Sequence, residues 1–62
     1  MREGIKMVYK VKIKYWNGWE ECSVWLTRVV SAYDCVSALK FVLDETGLED
    51  EDIEEIDIIL EG

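Results

Sequence analysis

Three tryptophans lie close together in this 62-residue sequence, and their spacing around an Asn-Gly pair predicts a binding surface. Trp16 and Trp19 flank Asn17-Gly18, the strongest short-range signal for a β-hairpin with a two-residue type I′ turn. In that register Trp16 faces Trp19. Because side chains alternate between the two faces of a strand, Trp25 falls on the same face as the other two indoles.

Lysines share the face of these indoles, which we call the Trp/Lys face. Lys10, Lys12 and Lys14 alternate with apolar residues along the first strand, and the register places Lys10 opposite Trp25, within reach of a cation–π contact. The other face is apolar and predicted to be the core: Met7, Tyr9, Val11, Ile13, Cys22, Val24 and Leu26. The indoles either only clamp the hairpin or, since tryptophan is enriched in binding hot spots, contact a partner.

The elements that position these residues form one predicted domain spanning residues 1–62. Two strands, at about 5–16 and 19–30, are followed by a helix that begins between Ser31 and Asp34 and ends near Thr46. Its apolar stripe consists of Cys35, Ala38, Leu39, Val42, Leu43 and Thr46. A last strand at 55–60 returns beside the first strand. The predicted fold is α+β, a two-layer ββαβ arrangement with a three-stranded antiparallel sheet (order 3-1-2) packed on one helix.

Negative charge is concentrated in the C-terminal third of the chain, which has 14 acidic and 7 basic residues and a net charge of −7. The predicted acidic surface comprises Glu49, Asp50, Glu51, Asp52, Glu54, Glu55 and Asp57. These carboxylates either only solvate the chain or imitate the phosphates that a nucleic-acid enzyme binds. Calcium binding of the EF-hand type is excluded, because Thr46 and Leu48 occupy positions that would have to be ligands.

Catalysis has no support in the sequence. Histidine is absent, Cys22 and Cys35 lack a partner base, and no glycine-rich phosphate loop is present. Cys22 lies near the hairpin end of the second strand and Cys35 at the start of the helix, past the far end of that strand. This separation is too large for a disulfide, so we expect reduced, buried thiols. We therefore predict a protein that is not an enzyme and that binds neither a cofactor nor a metal.

Two further expectations concern location and the helix. No apolar stretch approaches the length of a membrane span and no signal peptide is recognisable, so a cytoplasmic protein without a membrane partner is expected. Phe41 lies opposite the helical stripe. It either covers the edge of the sheet or anchors a dimer or a partner from the helix side, together with Tyr33 or Ser37.

The order of signals along the chain resembles that of a known class of proteins. A strand, Asn-Gly, a second strand, an alanine-containing helix, Gly-Leu and an acidic strand follow one another in a short, acidic chain. This is similar to the small acidic phage-encoded inhibitors of host enzymes, such as the uracil-DNA glycosylase inhibitors of small Bacillus phages. The resemblance implies a dimeric ββαβ protein that binds and blocks an enzyme, and it transfers no individual residue.

The sequence thus predicts a small non-enzymatic protein-binding module, in the form of a viral inhibitor of a host enzyme. The Trp/Lys face and the acidic third would be its contact surfaces, and a homodimer is expected. One alternative is a single-stranded nucleic-acid binder, since lysines between aromatics are typical of base-stacking platforms. The net charge and the lack of arginine on that face disfavour nucleic acid. Another alternative is a purely structural homodimer that uses the Trp/Lys face or Phe41 for self-contact.

Overall fold

The computed structural model describes residues 5–61 and contains a hairpin, a helix and a returning strand. The elements are β1 (Met7–Asn17), β2 (Cys22–Ala32), α1 (Cys35–Thr46), a 3-10 turn (Asp50–Asp52) and β3 (Ile53–Leu60). β1 is the central strand and pairs antiparallel with both neighbours, in the order β2-β1-β3. This arrangement confirms the predicted α+β class and the predicted order 3-1-2. The described part of the chain has no helix long and apolar enough to cross a membrane.

The hairpin register differs from the predicted one. Trp16 lies opposite Ser23, and four residues, Gly18–Glu21, connect the two strands. The predicted two-residue turn, with Trp16 facing Trp19, is therefore wrong. The predicted register would have placed Glu20 on the core-facing side of the sheet, whereas the longer loop leaves this carboxylate exposed to solvent.

The side chain of Asn17 stabilises the longer loop. Its Oδ1 accepts hydrogen bonds from the backbone N–H groups of Trp19 (2.9 Å) and Glu20 (3.4 Å), which is an Asx-type turn. Within residues 5–61 the only non-glycine residue with positive φ is Glu21, at 52°, and Gly18 has no positive φ. A type I′ turn would need positive φ at Gly18. The Asn-Gly pair therefore correctly predicted a hairpin, but the predicted length of the connecting loop was wrong.

The change of register preserves the two faces. The shift amounts to an even number of residues, and side chains alternate with a period of two, so every strand residue stays on its predicted side. The buried residues are Val11, Ile13, Val30, Ala32, Ala38 and Val42. All lie between the helix and the sheet, which confirms that the face carrying Val11 and Ile13 is the core.

Both thiols are exposed, contrary to the prediction of buried cysteines. Cys22 begins β2 beside the hairpin loop, and Cys35 is the first residue of α1. A helix of 12 residues is about 18 Å long, whereas an 11-residue strand extends over about 36 Å. The helix therefore cannot cover the loop end of β2, where Cys22 lies.

Both ends of α1 are capped as the sequence predicts. Asp34 is the N-cap, and its Oδ1 accepts a 2.7 Å hydrogen bond from the backbone N–H of Ser37. At the other end Gly47 adopts φ 73°, and its N–H donates to the carbonyl of Leu43 at 2.9 Å. Positive φ is typical of glycine at this position. Ser31, the alternative start of the helix, belongs to β2.

The N-cap gives a pH-dependent prediction. The hydrogen bond from Ser37 holds the pKa of the Asp34 carboxyl below its ordinary value of 3.8. A carboxyl whose pKa is lowered by folding stabilises the folded state at neutral pH, and this contribution is lost as the pH falls from 3.8 through the lowered pKa. We expect Asp34→Ala to lower the midpoint of thermal unfolding at pH 7 by roughly a few degrees.

Asp34→Asn is the matched control, because asparagine keeps the acceptor and removes the charge. We expect Asp34→Asn to unfold near the wild-type temperature at pH 7. Between pH 7 and pH 2.5 its unfolding temperature should fall less than that of the wild type, because it has no carboxyl at position 34 to protonate. Circular dichroism melts between pH 7 and pH 2.5 measure both effects. Equal acid sensitivity of the wild type and Asp34→Asn would contradict a role for this carboxylate.

Candidate binding surface

One face of the sheet is not covered by any element within residues 5–61. α1 packs on the side of the core, and the opposite side is the Trp/Lys face. The register places the following side chains on it: Val8, Lys10, Lys12, Lys14 and Trp16 of β1; Ser23, Trp25, Thr27, Val29 and Ser31 of β2; and Glu55, Asp57 and Ile59 of β3. The side predicted to carry the indoles and lysines is thus an open sheet surface.

The lysines form the central column of this face. Three rows run across the sheet, Ile59–Lys10–Val29, Asp57–Lys12–Thr27 and Glu55–Lys14–Trp25. The predicted pair of Lys10 with Trp25 is therefore wrong, and Lys14 lies opposite Trp25. Two of the three lysines face a carboxylate across the β1–β3 ladder, although none forms an ion pair within 4 Å in the described region. The positive charge of the face is accordingly offset by β3.

The structure brings two of the three tryptophans together. Trp16 and Trp25 are 47% and 49% exposed, and they are diagonal neighbours on adjacent strands, because Trp16 lies opposite Ser23. Diagonal pairs of this kind are within reach of large aromatic side chains. Trp19 lies in the hairpin loop and is 98% exposed. The surface therefore has an aromatic pair on the sheet and a third indole at its tip.

A carboxylate that the sequence analysis did not single out for this face crosses the central strand. The register of β1 and β3 shifts between Lys14 and Tyr15, and Glu54 lies at this irregularity. The hydroxyl of Ser23 on β2 donates to the Glu54 carboxylate, whose oxygens lie 2.7 and 2.8 Å away. Since β1 separates the two strands, the contact passes over β1 beside Trp16. Bulges commonly redirect side chains in this way, but no sequence signal indicated this one.

The predicted acidic surface is divided between two places. Glu49 and the 3-10 turn Asp50–Asp52 lie at the hairpin-loop end of the sheet, because Ile53 pairs with Tyr15. The remaining members, Glu54, Glu55 and Asp57, belong to β3. All seven are exposed. No group of three or more acidic or cysteine side chains in the described chain could hold a metal ion.

Phe41 lies on the opposite side of the sheet from the indoles. It is 56% exposed and lines an open depression of about 360 Å³ together with Lys6, Ser31, Ala32, Tyr33 and Ser37. The ammonium group of Lys6 lies 5.6 Å from the centre of the Tyr33 ring. Phe41 therefore lies near Tyr33 and Ser37 on the helix side, in a depression that reaches Ser31 at the end of the Trp/Lys face. Its role as an anchor for a dimer or a partner stays a prediction.

Comparison with protein-family models, with curated proteins and with solved structures gives no match. The candidate surface is thus defined by its geometry: an open antiparallel sheet face with adjacent half-exposed indoles, a lysine column and a row of carboxylates along one edge. These groups can provide apolar contact area and hydrogen bonds to a partner.

Proposed function

We propose that this chain is a small non-enzymatic protein-binding module whose Trp/Lys face contacts a protein partner. The observation that carries the proposal is the pair Trp16 and Trp25, half exposed and adjacent on a sheet face that no element within residues 5–61 covers. Indoles supply large apolar area at low entropic cost, and they are among the residues most often dominant in protein interfaces. The lysine stems of Lys10 and Lys14 extend this apolar area while their charged ends remain in water.

The arrangement of charge favours a protein over single-stranded nucleic acid. A nucleic-acid platform needs a groove of positive charge that follows the phosphates. Here Asp57 and Glu55 lie opposite two of the lysines, and Glu54 crosses the central strand next to Trp16. A phosphate chain on this face would approach these carboxylates, in a chain whose net charge is already −7.

The finer proposal is that the module is a phage or mobile-element inhibitor of a host enzyme. It rests on the resemblance in element order and acidity and on one feature of the structure. The acidic 3-10 turn Asp50–Asp52 lies at the same end of the sheet as Trp19. An enzyme with a basic rim beside an apolar surface would find complementary groups at this end, and the acidic field would accelerate association.

The test is affinity capture from a lysate of the source organism or its host, with and without nuclease. Wild type is compared with Trp16→Ser/Trp25→Ser, and Phe41→Ser is the matched control on the helix side. We expect one stoichiometric protein that resists nuclease, is lost with the double variant and is retained with Phe41→Ser. Recovery of only nuclease-sensitive material, or equal recovery with all three baits, would contradict the proposal.

A further inference from the structure

We propose that two copies of this chain pair through the free edge of β2, antiparallel and in full register, with a two-fold axis at Thr27. The resulting dimer would have one continuous six-stranded sheet. This proposal does not depend on the partner-binding role of the Trp/Lys face. It assigns self-association to the edge of the sheet rather than to either apolar surface.

One hydrogen bond shows which backbone groups of β2 point outward. The N–H of Glu61 donates to the carbonyl of Val8 at 2.8 Å, so Val8 turns its backbone groups toward β3. These groups alternate in direction along a strand, and a residue bonded to β3 cannot also bond to β2. Through the β1–β2 register, the outward-facing residues of β2 are Ser23, Trp25, Thr27, Val29 and Ser31. The Arg28 guanidinium bonds the Thr27 carbonyl at 3.1 Å, which agrees with an outward direction.

The two free edges of the sheet differ in charge. β2 has 11 residues without proline, lysine or a carboxylate, and its single charged residue, Arg28, is engaged by Glu45 of α1 (Nε to Oε1, 3.4 Å). β3 carries Glu54, Glu55 and Asp57 within eight residues. Proteins protect edges with proline, lysine and other charges, and the β2 edge has little of this protection. Two copies that each carry a charge of −7 therefore repel least when they meet at β2.

Full overlap of two copies of β2 selects a complementary register. Because the strand runs from Cys22 to Ala32, its midpoint is Thr27, and Thr27 would lie opposite its symmetry mate. Trp25 would then lie opposite Val29 of the second copy on the Trp/Lys face. Val29 is 60% exposed in the single chain, and an aromatic residue beside a β-branched one is a favourable cross-strand pair. On the other face Val24 would meet Val30.

The backbone supplies the rest of the interface. Five outward residues on each copy, each with one donor and one acceptor, would form about ten hydrogen bonds across the axis. Arg28 would give up its bond to the Thr27 carbonyl and remain paired with Glu45. The same register places Cys22 of the second copy beside Ala32, next to the depression that Phe41 lines. The Trp/Lys face and the depression lined by Phe41 therefore both become larger on pairing.

The first test is the mass of the protein in solution, measured by sedimentation equilibrium. We expect twice the chain mass of 7.3 kDa for wild type. Thr27→Pro removes an outward N–H that has no partner among residues 5–61 of the single chain, so it should weaken the dimer at least tenfold and leave the fold intact by circular dichroism. A wild-type chain that remains monomeric up to about 1 mM would overturn the proposal.

The second test checks the register in a chain without the native thiols, Cys22→Ser/Cys35→Ser. Thr27→Cys places two sulfurs on residues about 5.5 Å apart across the axis, a distance that permits a disulfide. Val29→Cys is the matched control, since its symmetry mate would be roughly 14 Å away along the strands. Rapid interchain oxidation of Thr27→Cys alone supports the register, and equal rates for both variants, or no oxidation, would refute it.

The solution mass and the capture of a partner test the dimer and the partner-binding surface separately. Trp16 lies on the central strand β1 and faces no residue of the second copy in this register, so Trp16→Ser should leave the mass unchanged while it weakens partner capture. The effect of Thr27→Pro is read from the mass alone, because Thr27 also lies on the Trp/Lys face.

Discussion

Ile13→Ala is expected to remove a large part of the free energy of unfolding at 25 °C. Ile13 is completely buried, on the central strand and beneath α1, in a cluster with Val11 and Val42. Truncation of a buried isoleucine to alanine costs about 2–5 kcal/mol, including the cavity it leaves. A 62-residue domain has a total free energy of unfolding of roughly 3–9 kcal/mol. One substitution therefore removes much of the stability, which urea denaturation followed by circular dichroism measures.

Ile59→Ala is the matched control for this prediction. Ile59 is in β3, on the Trp/Lys face, and it is 38% exposed. Its truncation removes less buried area and leaves no closed cavity, so we expect a loss below about 1 kcal/mol. Similar losses for the two variants would mean that the packed layer between helix and sheet is not the core of this protein.

The second large effect is expected on binding. Trp16→Ser/Trp25→Ser should weaken the affinity for the captured partner at least about 100-fold. A hot-spot residue costs about 2 kcal/mol or more when truncated, and about 1.4 kcal/mol corresponds to a factor of ten. Two such residues would cost about 4 kcal/mol if their effects add, which exceeds the roughly 2.8 kcal/mol of a hundredfold loss. Isothermal titration calorimetry with the purified partner measures the loss.

Stability must be separated from binding in this experiment. Both indoles are about half exposed, and neither belongs to the buried core, so the double variant should still fold cooperatively. Phe41→Ser removes a comparably exposed aromatic from the helix side and should change the affinity less than threefold. A double variant that folds and binds within a factor of ten of wild type would refute the assignment of the aromatic pair as the anchor.

Alternation of residue types was sufficient to predict the two faces of the sheet. Val11 and Ile13 alternate with Lys12 and Lys14, and burying lysine side chains is energetically costly, so only one orientation was physically acceptable. Which face is buried does not depend on how the strands align. The faces were therefore correct although the register was wrong, and the capping residues Asp34 and Gly47 were correct because their signals are local.

The features that the sequence analysis missed depend on non-local or competing interactions. The loop length was decided by the Asn17 side chain, which accepts two backbone hydrogen bonds in place of a tight turn. The contact between Ser23 and Glu54 spans 31 residues and requires a shift in strand register. The exposure of Cys22 follows from the difference in length between helix and strand. The last two cannot be deduced from the identity of neighbouring residues, whereas the Asn17 turn is local but competes with the type I′ turn that Asn-Gly also favours.

We propose that the Trp/Lys face is the surface that contacts a partner. Its most direct test is to map the chemical-shift changes of the isotope-labelled chain when the captured protein is added. We expect changes at the indole N–H groups of Trp16 and Trp25 and at the amides of Lys10–Lys14, with α1 unaffected. Changes confined to α1 and the depression beside Phe41, with both indole signals unmoved, would contradict it.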